Sequence, residues 1–135
     1  MSAEASFAQS TMVQLAVHKV LIGQKALVTG TNSGIGKGVA IALGQAGADI
    51  VVNYVEGEDA AMAVVDEIRK AGAKAYAHQA DVSSEPDVAG MFSHMIDQFG
   101  TVDILVSNAG LQRDSAFHEM TLEQWNKVLS VNLTG

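Results

Sequence analysis

Two kinds of segment alternate along this chain, distinguished by the spacing of their hydrophobic positions. Four short runs rich in apolar and β-branched residues are each bounded by glycine or polar residues, a pattern typical of β-strands. The second run, Ile50-Val51-Val52, is apolar without alternation, as expected when helices cover both faces of a parallel sheet. The predicted strands span residues 25–29, 49–53, 74–78 and 103–107.

The segments after each strand have apolar residues every three to four positions, which predicts amphipathic helices. Glycines at positions 47, 72 and 100 are typical stop signals for three of them. Ser84-Glu85-Pro86 opens the third helix with proline in the first turn, and Thr121 with Gln124 fits a capping box for the last one. The last helix carries an apolar stripe that we expect to pack against the domain: Leu122, Trp125, Val128 and Leu129.

Strand and helix alternate four times, which predicts an α/β fold with a parallel sheet. The expected architecture is a Rossmann-type, doubly wound sheet, incomplete at about four strands, with the order 3-2-1-4. We assign residues 21–135 to this single dinucleotide-binding domain. Residues 1–20 are expected to form a loosely ordered extension.

Composition limits the functional classes. With 48% hydrophobic and 17% charged residues in 135 positions, the chain is globular. A net charge of -7 argues against nucleic acid as a partner, and the absence of cysteine excludes disulfides and thiolate metal sites. The histidines show no ligand spacing, so no metal site is predicted. No membrane span and no basic signal-peptide region are recognisable, so we expect a cytoplasmic protein.

The loop after the first strand is the strongest candidate for binding chemistry. Gly30, Gly34 and Gly36 lie between a strand and a helix, where backbone amides can surround a phosphate. The loop is not a mononucleotide P-loop, because Thr31 and Gly38 replace residues which that motif requires. On spacing alone, a dinucleotide site and a ligand-free glycine turn both remain open.

Three further clusters follow the other strands, at the edge where an open parallel sheet binds its ligands. These are Asn53-Tyr54, Asp81-Val82 and Asn108-Ala109-Gly110. Four such clusters on one edge favour a dinucleotide over a ligand-free turn.

The pattern T-G-x-x-x-G-I-G at Thr29–Gly36 resembles the cofactor loop of the short-chain dehydrogenase/reductase family. In that resemblance, Asp81-Val82 matches the contact beside the adenine ring, and Asn108-Ala109-Gly110 matches the N-A-G motif. Asn132 matches the asparagine of the catalytic Asn-Ser-Tyr-Lys set. The loop positions implied to contact cofactor are Gly30, Asn32, Ser33, Gly34, Ile35 and Gly36.

The choice between NAD and NADP is expected at the end of the second strand. A carboxylate there selects NAD through the ribose hydroxyl, whereas a base favours the 2′-phosphate of NADP. Asn53 is neutral, residues 54–56 contain no Arg or Lys, and Lys37 is the only nearby base. Without a carboxylate to repel the 2′-phosphate, we predict NADP or dual use rather than strict NAD.

The family's proton-transfer residues are not found among the 135 positions of this sequence. Neither Tyr54 nor Tyr76 has a lysine four positions later, so there is no Tyr-x-x-x-Lys motif. We therefore expect the cofactor-binding half of an NAD(P)-dependent oxidoreductase, inactive alone and truncated before its catalytic region.

Two functional readings remain open. In the enzyme reading, the intact parent acts on a sugar or a small secondary alcohol or ketone and is a homo-oligomer. The stretch 108–127 looks most like the glucose 1-dehydrogenase branch, and a 3-oxoacyl-carrier-protein reductase is a close variant. In the second reading, the chain is a non-catalytic dinucleotide-binding module.

Overall fold

A computed structural model describes residues 19–135. Four parallel strands form one sheet: β1 (Lys25–Val28), β2 (Asp49–Tyr54), β3 (Ala75–Gln79) and β4 (Ile104–Val106). Their order is β3-β2-β1-β4, which confirms the prediction. Leu27 at the centre pairs with Val51 on one side and with Leu105 on the other. The strand bounds differ from the predicted ones by one residue at most at each end.

Four helices connect and follow the strands. They are α1 (Gly34–Gln45), α2 (Glu58–Lys70), α3 (Glu85–Phe99) and α4 (Leu122–Leu129). Ser84 caps α3 by accepting a hydrogen bond from the Asp87 backbone, with proline in the first turn as predicted. The predicted capping box also forms, with reciprocal bonds between Thr121 and Gln124. A single 3₁₀ turn precedes α4 at Phe117–Glu119, and a π-helical turn follows it at Ser130–Thr134.

The core lies on both faces of the sheet. Successive side chains on a strand point to opposite faces, so β1 and β2 contribute to both layers. On one face, Val28 and Ile50 pack with Val64 and Ile68 of α2 and with residues of α1. On the other face, Leu27 and Val51 pack with three residues of α3 and its flanks: Ala80, Met91 and Met95. This two-sided burial explains the uninterrupted apolar run of β2.

Residues on both sides of the predicted boundary at residue 21 make hydrogen bonds to the rest of the described chain. Residues 1–18 of the predicted extension lie outside the described residues. Lys19 already contacts the domain, because its Nζ donates to the carbonyl of Ala71 at 2.9 Å. The backbone of Leu21 then donates to Ala46 at 2.9 Å.

Helix α4 does not pack as its apolar stripe predicted. Leu122 is 73% exposed and Trp125 is 51% exposed, and α4 has no buried residue. Phe117, just before it, is 88% exposed. The amphipathic pattern is real, but residues 19–135 contain no surface that covers this face.

Within the described part of the chain, no helix combines the length and apolar character required to cross a bilayer.

Candidate cofactor-binding site

The loop between β1 and α1 turns sharply at two glycines. Gly30 and Gly34 have φ angles of 65° and 57°. These values lie in the left-handed region of backbone conformations, which residues other than glycine rarely adopt. A Cβ built on Gly36 would collide with the side-chain nitrogen of Asn108 and the carbonyl of Gly30. Glycine is therefore required at these positions for different reasons, left-handed backbone in two and close approach in the third. Around the second turn, Ser33, Gly34 and Ile35 face solvent.

The first turn of α1 has free backbone N–H groups and no negative charge that would repel an anion. Ser33 occupies the cap position, but its side chain makes no capping hydrogen bond, and the first turn contains no acidic residue. The initial amides of a helix carry a positive partial charge and lack partners within the helix. This arrangement fits a phosphate or pyrophosphate held at the loop 32–36.

Asn108 joins the end of β4 to the loop. Its Nδ2 donates to the carbonyls of Thr29 and Gly30, at 2.9 and 3.0 Å. In return, the hydroxyl of Thr29 accepts the backbone N–H groups of Asn108 and Ala109, both at 3.0 Å. A Cβ on Gly30 would lie 2.9 Å from the Cα of Ala109, so the two segments touch along their backbones. Thr29 and Asn108 therefore form a reciprocal clamp between the neighbouring strand ends.

Asn32 holds the outer side of the loop. Its Nδ2 donates at 2.8 Å to the carbonyl of Glu56, in the turn that follows β2. This bond places the turn 55–57 beside the loop, where Val55 is 46% exposed.

The side chain of Asn53 lies beneath the loop and not on its surface. It is 1% exposed, and both ends of its amide are hydrogen-bonded within the protein. The sequence predicted that this residue faces the cofactor ribose, but a buried amide with its own partners has no free group to offer. The exposed part of this strand end begins after Tyr54, which is itself 7% exposed.

Asp81 is fixed in the turn after β3. Its Oδ1 accepts the hydroxyl and the backbone N–H of Ser83, at 2.6 and 2.8 Å. These two bonds, aided by Lys127 at 3.6 Å from Oδ2, hold the pKa of the Asp81 carboxyl below its usual value. The carboxylate is therefore ionised at neutral pH and held in one orientation.

Asn132 fixes the segment that follows β4. Its Oδ1 accepts the backbone N–H of Leu111, and its Nδ2 donates to the carbonyl of the same residue, both at 2.9 Å. The amide thus reproduces a strand-like pairing and holds Gly110 close by, since a Cβ there would lie 3.4 Å from Oδ1. A cavity of about 500 Å³ opens beside it, lined in part by Val82, Ser107 and Ala109.

Most predicted site residues converge on one edge of the sheet. Direct bonds join the glycine loop to Asn108, and the cavity brings Val82 and Ala109 together with Asn132. Three contributors were not singled out from the sequence: Thr29 as a hydrogen-bonding centre, Ser83 and Lys127. The Asp81-x-Ser83 spacing is typical of a side-chain-to-backbone turn and could have indicated Ser83. Lys127 has no local sequence signal.

No group of three or more histidine, aspartate or glutamate side chains within residues 19–135 has the geometry to hold a metal ion.

A glycine loop, an uncapped helix start and polar strand ends on one edge of a 3-2-1-4 parallel sheet define a nucleotide-binding α/β fold. The family model for short chain dehydrogenases matches residues 24–135. The chain therefore belongs to the short-chain dehydrogenase family, as its motifs indicated.

Similar proteins carry several names. The chain is 45% identical over 115 residues to a 3-oxoacyl-[acyl-carrier-protein] reductase of Synechocystis, covering 85% of this chain and 47% of that protein. It is 44% identical over 112 residues to a hydroxynaphthalene reductase-like protein Arp2 of Metarhizium majus, covering 83% and 42%. The chain thus spans about half the length of the curated relatives it matches.

Solved structures agree on the fold. A short chain dehydrogenase from Burkholderia cenocepacia, in complex with NADP, superposes with a TM-score of 0.83 at 37% identity, covering 85% of this chain and 47% of that one. A hydroxysteroid dehydrogenase from Escherichia coli superposes with a TM-score of 0.80 at 36% identity, covering 87% and 49%. These likenesses confirm the Rossmann-type parallel sheet with the strand order β3-β2-β1-β4.

Proposed function

We propose that this chain binds a nicotinamide dinucleotide along the edge of its sheet and serves an NAD(P)-dependent oxidoreductase. The observation that carries the proposal is the Thr29–Asn108 clamp, which joins the glycine loop to the end of β4 beside an uncapped helix start. A ligand-free turn would not need both features on one edge.

Each part of the site has a proposed task toward the cofactor. The backbone of residues 32–36 holds the pyrophosphate, and Asp81 with Val82 borders the adenine. Asn108, Ala109 and Gly110 flank the cofactor. When bound, the nicotinamide supplies or accepts a hydride. The chain's own contribution is to bind and orient it.

The cofactor preference we propose is NADP or dual use. The first exposed residue after β2 is Val55, which has no carboxylate to repel a 2′-phosphate, and Lys37 lies near the start of α1. Glu56 is tied to Asn32 through its backbone carbonyl. The NADP complex of the Burkholderia relative is in keeping with this preference.

Titration with NADPH and NADH tests both proposals. We expect NADPH to bind the purified chain saturably, as measured by fluorescence. The affinity for NADPH should be at most about threefold weaker than the affinity for NADH, which corresponds to about 0.6 kcal/mol of binding free energy. Tenfold tighter binding of NADH would overturn the NADP preference. Absence of binding by either nucleotide would overturn the cofactor site itself.

The substrate class we propose is a secondary alcohol or its ketone. The names of the relatives favour a 3-oxoacyl thioester over the sugar that the glucose 1-dehydrogenase resemblance suggested. We also propose self-association of the complete enzyme, because the exposed apolar face of α4 and Phe117 offers a surface for it.

A non-catalytic module is the second candidate, favoured by the state of the tyrosines. Tyr54 is 7% exposed, and burial raises the pKa of Tyr76 to about 12. Neither tyrosine is followed by a lysine four positions later, so these 135 residues hold no Tyr-x-x-x-Lys for Asn132 to act with. We expect no NADPH oxidation by these 135 residues with a 3-oxoacyl thioester, and no NADP reduction with glucose. Steady turnover at 340 nm that disappears in the Gly36→Val variant would contradict this.

A further inference from the structure

Asn53 occupies the point where the two halves of the candidate site meet. It is the fifth residue of β2, it pairs in register with His78 of β3, and its side chain is 1% exposed. The glycine loop lies on one side of it, and the turn that leads to Asp81 lies on the other. A polar side chain in this position must find its hydrogen bonds inside the protein.

The amide of Asn53 bonds in both directions. Its Oδ1 accepts the backbone N–H of Gly30 at 3.2 Å, on the side of the glycine loop. Its Nδ2 donates to the carbonyl of Ala80 at 3.0 Å and to that of His78 at 3.4 Å, on the side of the Asp81 turn. One planar group therefore links the backbones of both loops.

The backbone of Asn53 strengthens the same link. Its carbonyl accepts the N–H of Thr31 at 2.9 Å and the hydroxyl of Thr31 at 2.8 Å. Thr31 is fully buried. The glycine loop is thus held to β2 by three hydrogen bonds at one residue, while the opposite end of the same amide holds the next turn.

Among side chains of this length, only asparagine offers both the hydrogen-bond acceptor and the donors that this position requires. An acceptor is needed toward Gly30 and donors are needed toward Ala80 and His78. Aspartate lacks the donors, leucine lacks both, and alanine leaves the groups unpaired. Buried carbonyl and N–H groups that lose their partners are costly, so each loop would move to find new ones.

We propose that Asn53 is a positioning residue that couples the pyrophosphate loop to the adenine turn, so that ordering one orders the other. This inference rests on the proposed cofactor site. It replaces the direct ribose contact predicted from the sequence with an indirect role through Gly30 and Ala80. The Asn53 side chain contacts neither the pyrophosphate nor the adenine. It fixes the spacing between the two loops that hold them.

The test compares Asn53→Leu, which has a similar volume, with Val64→Ala as a matched control. Val64 is fully buried in α2 on the far side of the core, so its truncation also destabilises the domain but leaves the link intact. Asn53→Ala is the second variant, in case the leucine does not fit. We expect NADPH affinity to fall about 10- to 100-fold in the Asn53 variants and less than about threefold in Val64→Ala. Equal losses of affinity in both would reduce Asn53 to a structural residue and overturn the proposal.

Adenosine has no phosphate, so it can occupy the proposed adenine site without touching the glycine loop. Any change that it causes in the glycine loop therefore reports coupling between the two loops, which a purely structural role for Asn53 would not alter. In the wild-type chain, saturating adenosine should shift the amide resonances of Val82 and also those of Gly34 and Ile35. In the Asn53 variants it should shift Val82 alone. Coupled shifts that persist without the Asn53 amide would overturn the proposal.

Failure of the cofactor site itself is distinguishable. If the wild-type chain binds no NADPH, the proposed function fails, and the link is judged from hydrogen exchange in the free protein. There the Gly30 amide should exchange at least about tenfold faster in the Asn53 variants than in Val64→Ala. Equal protection in both sets of proteins would show that no such link exists.

Discussion

Replacing Gly36 with valine should abolish cofactor binding by this chain and destabilise the fold. The added Cβ would overlap the side-chain nitrogen of Asn108 and the carbonyl of Gly30, and both belong to the clamp that shapes the loop. We expect more than about 100-fold loss of NADPH affinity, equivalent to about 2.7 kcal/mol. Forcing the side chain into this space should also lower the free energy of unfolding by about 1–3 kcal/mol.

Gly38→Ala is the matched control in the same helix. Gly38 is exposed, has no atom within 4 Å of an added Cβ, and does not have a positive φ. Alanine there should raise the free energy of unfolding by about 0.5–1 kcal/mol, because glycine weakens a helix interior. Its affinity for NADPH should stay at the wild-type value.

Calorimetric titration with NADPH and urea unfolding measure the two effects separately. A Gly36→Val protein that still binds NADPH normally would show that the loop does not hold the pyrophosphate. If Gly38→Ala lost affinity to the same degree, the effect would belong to helix α1 as a whole and not to the close approach at Gly36.

The sheet could be predicted from sequence because its signals are local. The apolar run Ile50-Val51-Val52 is long enough to identify a strand covered on both faces, and it lies between glycine-bounded helices. The Thr121–Gln124 capping box involves neighbours three residues apart, so the residues that form it are visible together in the sequence. Strand order followed from the alternation of elements and the glycine loop, which together restrict the possible connections.

The role of Asn53 could not be predicted by the same means. The sequence places a polar residue at the end of a strand, but it does not show which side of the sheet the side chain faces. A shift of one residue in a strand exchanges the two faces. Here the amide turns inward to Gly30 and Ala80, and the exposed turn begins two residues later at Val55.

Hydrogen-bond and ion-pair partners that are distant in the sequence could not be predicted, for a related reason. Lys127 reaches the carboxylate of Asp81 from α4, and Asn132 pairs with Leu111, which lies 21 residues earlier in the chain. Nothing in the local pattern of either residue indicates its partner. The apolar stripe of α4 was visible, but an amphipathic pattern shows only that a face is apolar and does not say what covers it.

Thr29→Val should produce the second large effect, this time on stability. Thr29 is 6% exposed, and its hydroxyl accepts the backbone N–H groups of Asn108 and Ala109. Valine has nearly the same shape but no oxygen, so both N–H groups would lose their acceptor. The N–H groups of Asn108 and Ala109 are partly buried, so each costs about 1–2 kcal/mol when unpaired, the lower half of the range for buried groups. We therefore expect the free energy of unfolding to fall by about 2–4 kcal/mol. Urea unfolding followed by circular dichroism measures it.

Two companion variants identify the cause of that loss. Thr101→Val removes an exposed hydroxyl that lies 3.2 Å from Asp103, and it should change the free energy of unfolding by less than about 0.5 kcal/mol. Thr29→Ser keeps the acceptor oxygen and should recover most of the stability that valine removes. If Thr29→Val unfolded at the same urea concentration as Thr101→Val, the hydroxyl would not be what joins β1 to the end of β4. The clamp would then depend on the Asn108 side chain alone, whose bonds to the backbone carbonyls of Thr29 and Gly30 do not need the threonine hydroxyl.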